Sequence, residues 1–66
     1  MQVTINGESR EYSGQPRLGE LLRSFGIDPL KAAVERNLRI LARGEIESEP
    51  VEPGDSFEII RMVGGG

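Results

Sequence analysis

The chain has 66 residues and a formal net charge of −3, and it contains no Cys, His or Trp. A domain of this size buries only about 60% of the surface that its unfolded chain exposes, so a deep, walled pocket is not expected. Without His the usual general base near neutral pH is absent, and without Cys there is no thiolate nucleophile or soft metal ligand. The composition therefore argues against a self-sufficient enzyme.

The charge and hydropathy of the sequence exclude several kinds of partner. The sequence has no basic patch of the kind that binds nucleic acid, no apolar run long enough to span a membrane, and no secretory signal at its start. Glu45, Glu47 and Glu49 alternate, but they lack the glycine-turned spacing of a calcium loop, so we expect a solvated loop and no metal site. These observations predict a cytoplasmic protein that binds neither nucleic acid nor membrane.

The first twelve residues predict a hairpin. Val3 and Ile5 alternate with polar residues, which is typical of a strand with one buried face. Asn6-Gly7 follows, and this pair favours a tight turn because both residues tolerate positive φ. The segment from Glu8 to Tyr12 is mostly polar, so we expect it to return as a strand at the edge of the sheet.

A helix is predicted next. Apolar residues recur at helical spacing and form one stripe: Leu18, Leu21, Leu22 and Phe25. Pro16 suits the first helical turn, where a missing N–H is tolerated, and Gly19 is expected to let the helix lie close to the sheet. Gly26 is predicted to end the helix in a left-handed conformation, with Ile27 folding back onto the last turn.

The middle of the chain carries weaker signals. Residues 32–36 and 39–42 have short strand patterns, and Asn37 between them is a turn candidate. Residues 43–50 are polar and acidic, so we expect a loop there with room for one helical turn.

The last strand pattern is the strongest. It covers residues 56–63 after a turn at Pro53-Gly54-Asp55, with Phe57 and Ile59 on one face and Ile60 and Met62 on the other. A strand that is apolar on both faces is usually central in its sheet. The predicted class is therefore α+β, with a mixed sheet of four or five strands, one main helix on one face, a domain at 1–63 and a flexible tail at 64–66.

The tail Gly64-Gly65-Gly66 is the main functional clue. Glycine has no Cβ, so such a tail is thin and conformationally free, and it can thread into a narrow active site on another protein. There the carboxylate of Gly66 can attack the α-phosphate of ATP and become an acyl-adenylate. The alternative is an inert, unordered terminus or linker.

Several short segments together resemble a known family. They are Gln2-Val3-Thr4-Ile5-Asn6-Gly7, Leu18-Gly19-Glu20-Leu21-Leu22, Val34-Glu35-Arg36-Asn37 with Ile40, Gly54-Asp55 with Phe57-Glu58-Ile59-Ile60, and Met62-Val63-Gly64-Gly65-Gly66. In this order and spacing they resemble the ThiS family, the sulfur carriers of thiamin biosynthesis, over essentially the whole chain. The resemblance implies a ubiquitin-like β-grasp fold. Pro16, Arg39, Leu41 and the acidic segment from Glu45 to Glu52 depart from the family pattern.

The resemblance also implies a function. A ThiF-like adenylyltransferase would use ATP to adenylate the carboxylate of Gly66, and a persulfide would then replace the adenylate to leave a thiocarboxylate. A thiazole synthase would receive the sulfur. Gly64 and Gly65 would lie in the channel of the partner, and the chain itself would bind no cofactor.

The end of the last strand is the predicted docking site for that partner. Ile60, Met62 and Val63 form an apolar patch if they are exposed, and Arg61 can meet an acidic groove. The other interpretation is that some of these apolar residues fill the core.

Three other functions stay open. The small subunit of molybdopterin synthase shares the expected fold and the terminal glycines, although its chains tend to be longer, with prolines before those glycines. A protein modifier would join its tail to lysines, and an inert β-grasp interaction module would not use the tail.

Overall fold

The computed structural model describes residues 1–62 and contains a five-stranded mixed sheet with one α-helix packed on one face. The elements in chain order are β1 (Gln2–Ile5), β2 (Glu8–Glu11), α1 (Leu18–Ser24), a 3₁₀ turn (Pro29–Lys31), β3 (Ala32–Arg36), β4 (Arg39–Ile40), a second 3₁₀ turn (Arg43–Glu45) and β5 (Ser56–Arg61). The strand order is β2-β1-β5-β3-β4. The predicted α+β class and the central place of the last strand are therefore confirmed.

The first hairpin forms as expected. Asn6 and Gly7 have φ of 51° and 83°, so both adopt the left-handed conformation that a tight hairpin turn requires. β1 and β2 then pair antiparallel, with Ile5 opposite Glu8. All four residues of β2 are exposed, and β2 lies at one edge of the sheet, as its charged sequence predicts.

The central strand β5 is hydrogen-bonded on both sides. It runs parallel to β1 and antiparallel to β3, with Val34 opposite Ile59 and Glu35 opposite Glu58. The side chain of Asn6 extends the β1 ladder by one step. Its Nδ2 donates to the carbonyl of Ile59 at 3.1 Å, and its Oδ1 accepts from the N–H of Ile59 at 2.7 Å.

The core lies between the sheet and α1. The strands supply Val3, Val34, Phe57 and Ile59, and the helix supplies Leu18, Leu21 and Leu22. Residues from the connecting segments close the core around its margin, namely Tyr12, Leu41, Ile46 and Val51. The predicted assignment of Phe57 and Ile59 to the buried face is confirmed.

The helix starts later than predicted. Pro16 lies before it, and Arg17 is the N-cap in an extended conformation. The free N–H groups of the first turn are satisfied from the loop that precedes β5: Leu18 donates to the carbonyl of Glu49 at 2.8 Å and Gly19 to that of Glu47 at 3.1 Å. This tertiary capping explains the shift, because it fixes where the helix can begin.

The helix ends as predicted. Gly26 has φ of 76°, and its N–H donates to the carbonyl of Arg23 at 3.0 Å. The N–H of Ile27 donates to the carbonyl of Leu22 at 2.8 Å. This pair of bonds is the Schellman motif, which satisfies the last carbonyls of the helix.

Gly19 allows a close approach, but to the loop and not to the sheet. A Cβ at this position would lie 2.8 Å from the carbonyl oxygen of Glu47 and would also collide with the carboxylate of Glu47. The expected contact with the sheet is therefore wrong. The glycine is required because the loop backbone crosses directly over the start of α1.

Two strands end earlier than predicted. β4 stops at Ile40 because Leu41 turns into the core, where its N–H donates to the carbonyl of Val34 at 3.0 Å. β5 stops at Arg61, although the N–H of Met62 still donates to the carbonyl of Lys31 at 2.8 Å. Over residues 1–62, no helix has the length and apolar character needed to cross a membrane.

We predict that Gly19→Ala destabilises the domain. The gain in helix propensity is about 1 kcal/mol, but forcing a methyl group into a filled space costs about 1–3 kcal/mol, and here the backbone of Glu47 must move. Urea unfolding followed by circular dichroism measures the net loss. Gly44→Ala is the matched control, because no atom lies within 4 Å of a Cβ there. A Gly19→Ala variant as stable as Gly44→Ala would contradict the close approach.

Candidate functional site

Ile60, near the end of β5, lies on the face of the sheet opposite the helix, and Met62 follows the strand. The side chain of Ile60 is 67% exposed and Met62 is 41% exposed, whereas Phe57 and Ile59 are buried. The alternation of side chains along a strand produces this division. Ile60 and Met62 therefore lie outside the core, as the docking prediction requires.

Arg61 does not lie with Ile60. It lines two shallow clefts on the helix side, one beside Phe25 and Ile27 and one that it shares with Asp28 and Met62. The residues grouped as one docking site are therefore divided between two sides of β5. Val63 belongs to the same prediction and lies outside the described residues.

The surface around Ile60 includes a residue that the docking prediction omitted. Ile40 in the short edge strand β4 is 76% exposed, and Ala33 is opposite Ile60 in the register. Together with Glu35, Glu58 and Val34, these residues line one shallow groove. We call the surface formed by Ala33, Glu35, Ile40, Glu58 and Ile60 the open face; Glu35 is half-buried and the other four are exposed. Its sequence signal is weak, because β4 has only two residues.

The turn beside the open face carries an unusual residue. Asn37 and Leu38 connect β3 to β4 with φ of 49° and 71°. Asn37 suits this conformation, but a left-handed leucine costs about 1–2 kcal/mol. Leu38 is also 89% exposed, so it contributes almost nothing to the core.

A buried carboxylate fixes this turn to β5. Asp55 is only 7% exposed. Its Oδ2 accepts from Nε of Arg36 at 2.9 Å, and its Oδ1 accepts from Nδ2 of Asn37 at 3.0 Å. Asn37 also bonds the backbone, since its Oδ1 accepts from the N–H of Ser56 at 2.9 Å. Two of the family-like segments, residues 34–37 and 54–60, therefore touch each other and hold the open face in register.

The acidic loop is solvated at Glu45 and Glu47, as predicted, but Glu49 is buried. Glu49 is 7% exposed, and its Oε2 accepts from Arg36 at 3.2 Å and from Arg39 at 2.7 Å. Glu47 is more exposed, but its carboxylate pairs with Arg23. The arginines that bind these groups are distant in sequence, which is why the pattern of alternating glutamates did not reveal them. Within residues 1–62, no group of three or more His, Cys, Asp or Glu is arranged to hold a metal ion.

These hydrogen bonds shift the pKa values of Asp55 and Arg36. Burial raises the pKa of Asp55, but the hydrogen bonds from Asn37, from the N–H of Glu52 and from Arg36 outweigh burial, so its pKa lies below the usual value. The hydrogen bond to Asp55 is the main cause that raises the pKa of Arg36. Both groups are thus held in their charged forms.

The predicted reactive residues lie outside the described part of the chain. Gly64, Gly65 and Gly66 follow Met62 and Val63, and their roles stay predictions. What the structure does establish is the direction of β5, which brings the chain to these residues from the centre of the sheet.

Comparison with known proteins identifies a family. The family model described as "ThiS family" matches residues 3–66. A sulfur carrier protein ThiS from Thermus thermophilus is 31% identical over 64 residues, which are 97% of this chain and 98% of that protein. The crystal structure of a thiamine biosynthesis protein (ThiS) from Geobacter metallireducens superposes with a TM-score of 0.78 at 29% identity, covering 100% of both chains.

Two longer proteins also match. A thiazole synthase from Paramagnetospirillum magneticum is 41% identical over 66 residues, and one from Magnetococcus marinus is 33% identical over 66 residues. Each match covers 100% of this chain but only 20% of the synthase. The chain therefore spans one fifth of the length of these two relatives.

We predict that the Asp55 network makes stability depend on acid pH. Because the pKa of Asp55 is lowered in the folded state, its stabilisation is present above the unfolded pKa of about 3.9 and is lost as the pH falls through the folded pKa. Asp55→Asn should lower the free energy of unfolding by about 1–3 kcal/mol at pH 7 and flatten its decline below pH 5, as measured by urea unfolding at several pH values.

Asp28→Asn is the control for this substitution. Asp28 caps the first 3₁₀ turn through the N–H of Leu30, and asparagine caps equally well. The same chemical change should therefore have little effect at that position. An Asp55→Asn variant with unchanged stability and an unchanged pH profile would contradict the proposed role of the network.

Proposed function

The chain belongs to the ThiS family, and we propose that it is a sulfur carrier whose Gly66 carboxylate is converted to a thiocarboxylate that donates sulfur to the thiazole ring of thiamin. The observation that carries this proposal is the family match over residues 3–66, which includes the terminal glycines. The exposed surface next to the end of β5 supports it, because a carrier needs a docking face close to its reactive end.

The proposed chemistry takes place on a partner. A ThiF-like adenylyltransferase binds ATP, and the carboxylate of Gly66 attacks the α-phosphate and releases pyrophosphate. The terminal sulfur of a persulfide then attacks the acyl carbon and releases AMP. A second thiol cleaves the resulting acyl disulfide, which leaves the thiocarboxylate on the carrier. Gly64 and Gly65 lie in the channel of the partner, where the absence of side chains permits close approach.

In this proposal the folded domain orients the end of β5 and docks the partner. β5 is held on both sides by neighbouring strands, so its end points in one fixed direction relative to the open face. Ile60 and Ile40 supply exposed apolar area for docking. Arg61 lies on the other side of β5, so in this proposal it contacts a different part of the partner from Ile60.

A thiazole synthase is the proposed acceptor of the sulfur. The two synthases that contain a segment similar to this chain support this choice, and they favour the thiamin pathway over molybdopterin synthesis. The names of the matching sulfur carrier and of the matching structure agree with it.

We predict that the chain gains sulfur at Gly66. After incubation with the adenylyltransferase of the same organism, ATP and a persulfide donor, intact-protein mass spectrometry should show replacement of one oxygen by sulfur, and fragmentation should locate it at Gly66. A variant that lacks Gly65 and Gly66 should show no gain and should keep its circular dichroism spectrum. No sulfur addition to the full chain, with an adenylyltransferase that is active on a known carrier, would refute the proposed function.

We also predict that Ile60→Asp weakens binding to the adenylyltransferase without unfolding the domain. Ile60 is exposed, so the loss of stability should be about 1 kcal/mol or less. Ile59→Asp is the matched contrast. Ile59 is the next residue along the strand and is buried, so a charge at this position should unfold the protein. Calorimetric titration measures the affinity and thermal melting measures the folding. Wild-type affinity in a folded Ile60→Asp variant would show that the open face is not the docking surface.

A further inference from the structure

Two carboxylates of the open face are placed directly against each other. Glu35 in β3 is opposite Glu58 in β5 in the antiparallel register, which brings such side chains to about 5 Å at their Cβ atoms. Among residues 1–62, neither carboxylate takes part in an ion pair, whereas Glu47 and Glu49 both do. Like charges at opposed positions destabilise a sheet, so the stability of this domain does not account for the pair.

The surroundings of the pair are apolar. The two glutamates share a groove of about 190 Å³ with Ala33, Val34, Ile40 and Ile60. Ile40 and Ile60 are mostly exposed, so a partner that covers them would also remove water from the carboxylates. Removing water strengthens the attraction between a carboxylate and a cation.

We propose that Glu35 and Glu58 form a recognition site for one arginine or lysine side chain, which lies among apolar side chains on the adenylyltransferase. A guanidinium group suits this site because its fork of N–H donors can bond two carboxylates at once. This inference rests on the proposed function, which requires such a partner. It adds that the partner is recognised through a cationic side chain that pairs with two carboxylates.

The negative charge of the open face favours a cationic partner over a second copy of the chain. Two open faces packed together would bring four carboxylates into one interface, without a cation from either face. The adenylyltransferase is also the partner whose position follows from the strand. Glu58 and Ile60 lie on the strand that leads to the terminal glycines, so a protein that encloses the tail must lie close to this groove.

The test uses the full chain and the purified adenylyltransferase of the same organism. The double variant Glu35→Gln, Glu58→Gln should bind about 10-fold more weakly at low salt, and the difference should shrink as salt rises. Glu8→Gln is the control, because Glu8 is an exposed strand glutamate on the far edge of the sheet. It should bind like the wild type at every salt concentration.

Thermal melting separates recognition from a structural role. Removal of the opposed charges should leave the melting temperature of the double variant unchanged or raise it, while its affinity falls. Equal affinity of the double variant and the wild type at low salt would overturn the inference, and so would a lower melting temperature that accounts for the loss of binding. A wild-type dimer that disappears in the double variant, seen by analytical ultracentrifugation, would assign the face to a second copy and would also overturn it.

Mass spectrometry distinguishes the two levels of the proposal. If the wild-type chain gains sulfur and the double variant binds equally well, only the recognition site is wrong. If the wild-type chain neither binds the adenylyltransferase nor gains sulfur, the proposed function fails first.

Discussion

The structure depends on β5 being hydrogen-bonded on both sides. Its pairing with β1 and β3 fixes the register, and the two-residue period of a strand then decides the environment of every side chain. Phe57 and Ile59 must enter the core, while Glu58 and Ile60 must lie on the open face. A slip of one residue would exchange these sets. The same strand that completes the core therefore also fixes the position of the open face.

The loop before β5 connects the remaining parts. The carbonyl of Glu49 accepts from the first N–H of α1, and its carboxylate accepts from arginines of β3 and β4. Just before β5, the carboxylate of Asp55 also accepts from Arg36, and it accepts from Asn37 as well. A small domain has few buried apolar contacts, so such buried, fully paired carboxylates are important for its single, well-defined arrangement. They also hold the irregular loop before β5 against the core.

The open face differs from this buried and fully paired part of the domain. It contains exposed isoleucines and opposed glutamates, and a left-handed leucine lies at its margin. The left-handed leucine and the opposed glutamates each cost the isolated domain some stability. Conflicts between local preference and the fold are expected where a surface serves a partner.

The sequence by itself determined the elements with local signals: the Asn6-Gly7 turn, the Schellman end of the helix at Gly26, and the alternation that separates Ile59 from Ile60. These signals lie within short stretches of the chain. The strand and helix patterns also predicted the α+β class, and the resemblance of several segments to a known family implied the β-grasp fold. Only the tertiary structure decided the start of α1, the burial of Glu49, the partner of Gly19 and the opposition of Glu35 to Glu58. Each of these joins residues from separate segments, so no periodicity within one segment could reveal them.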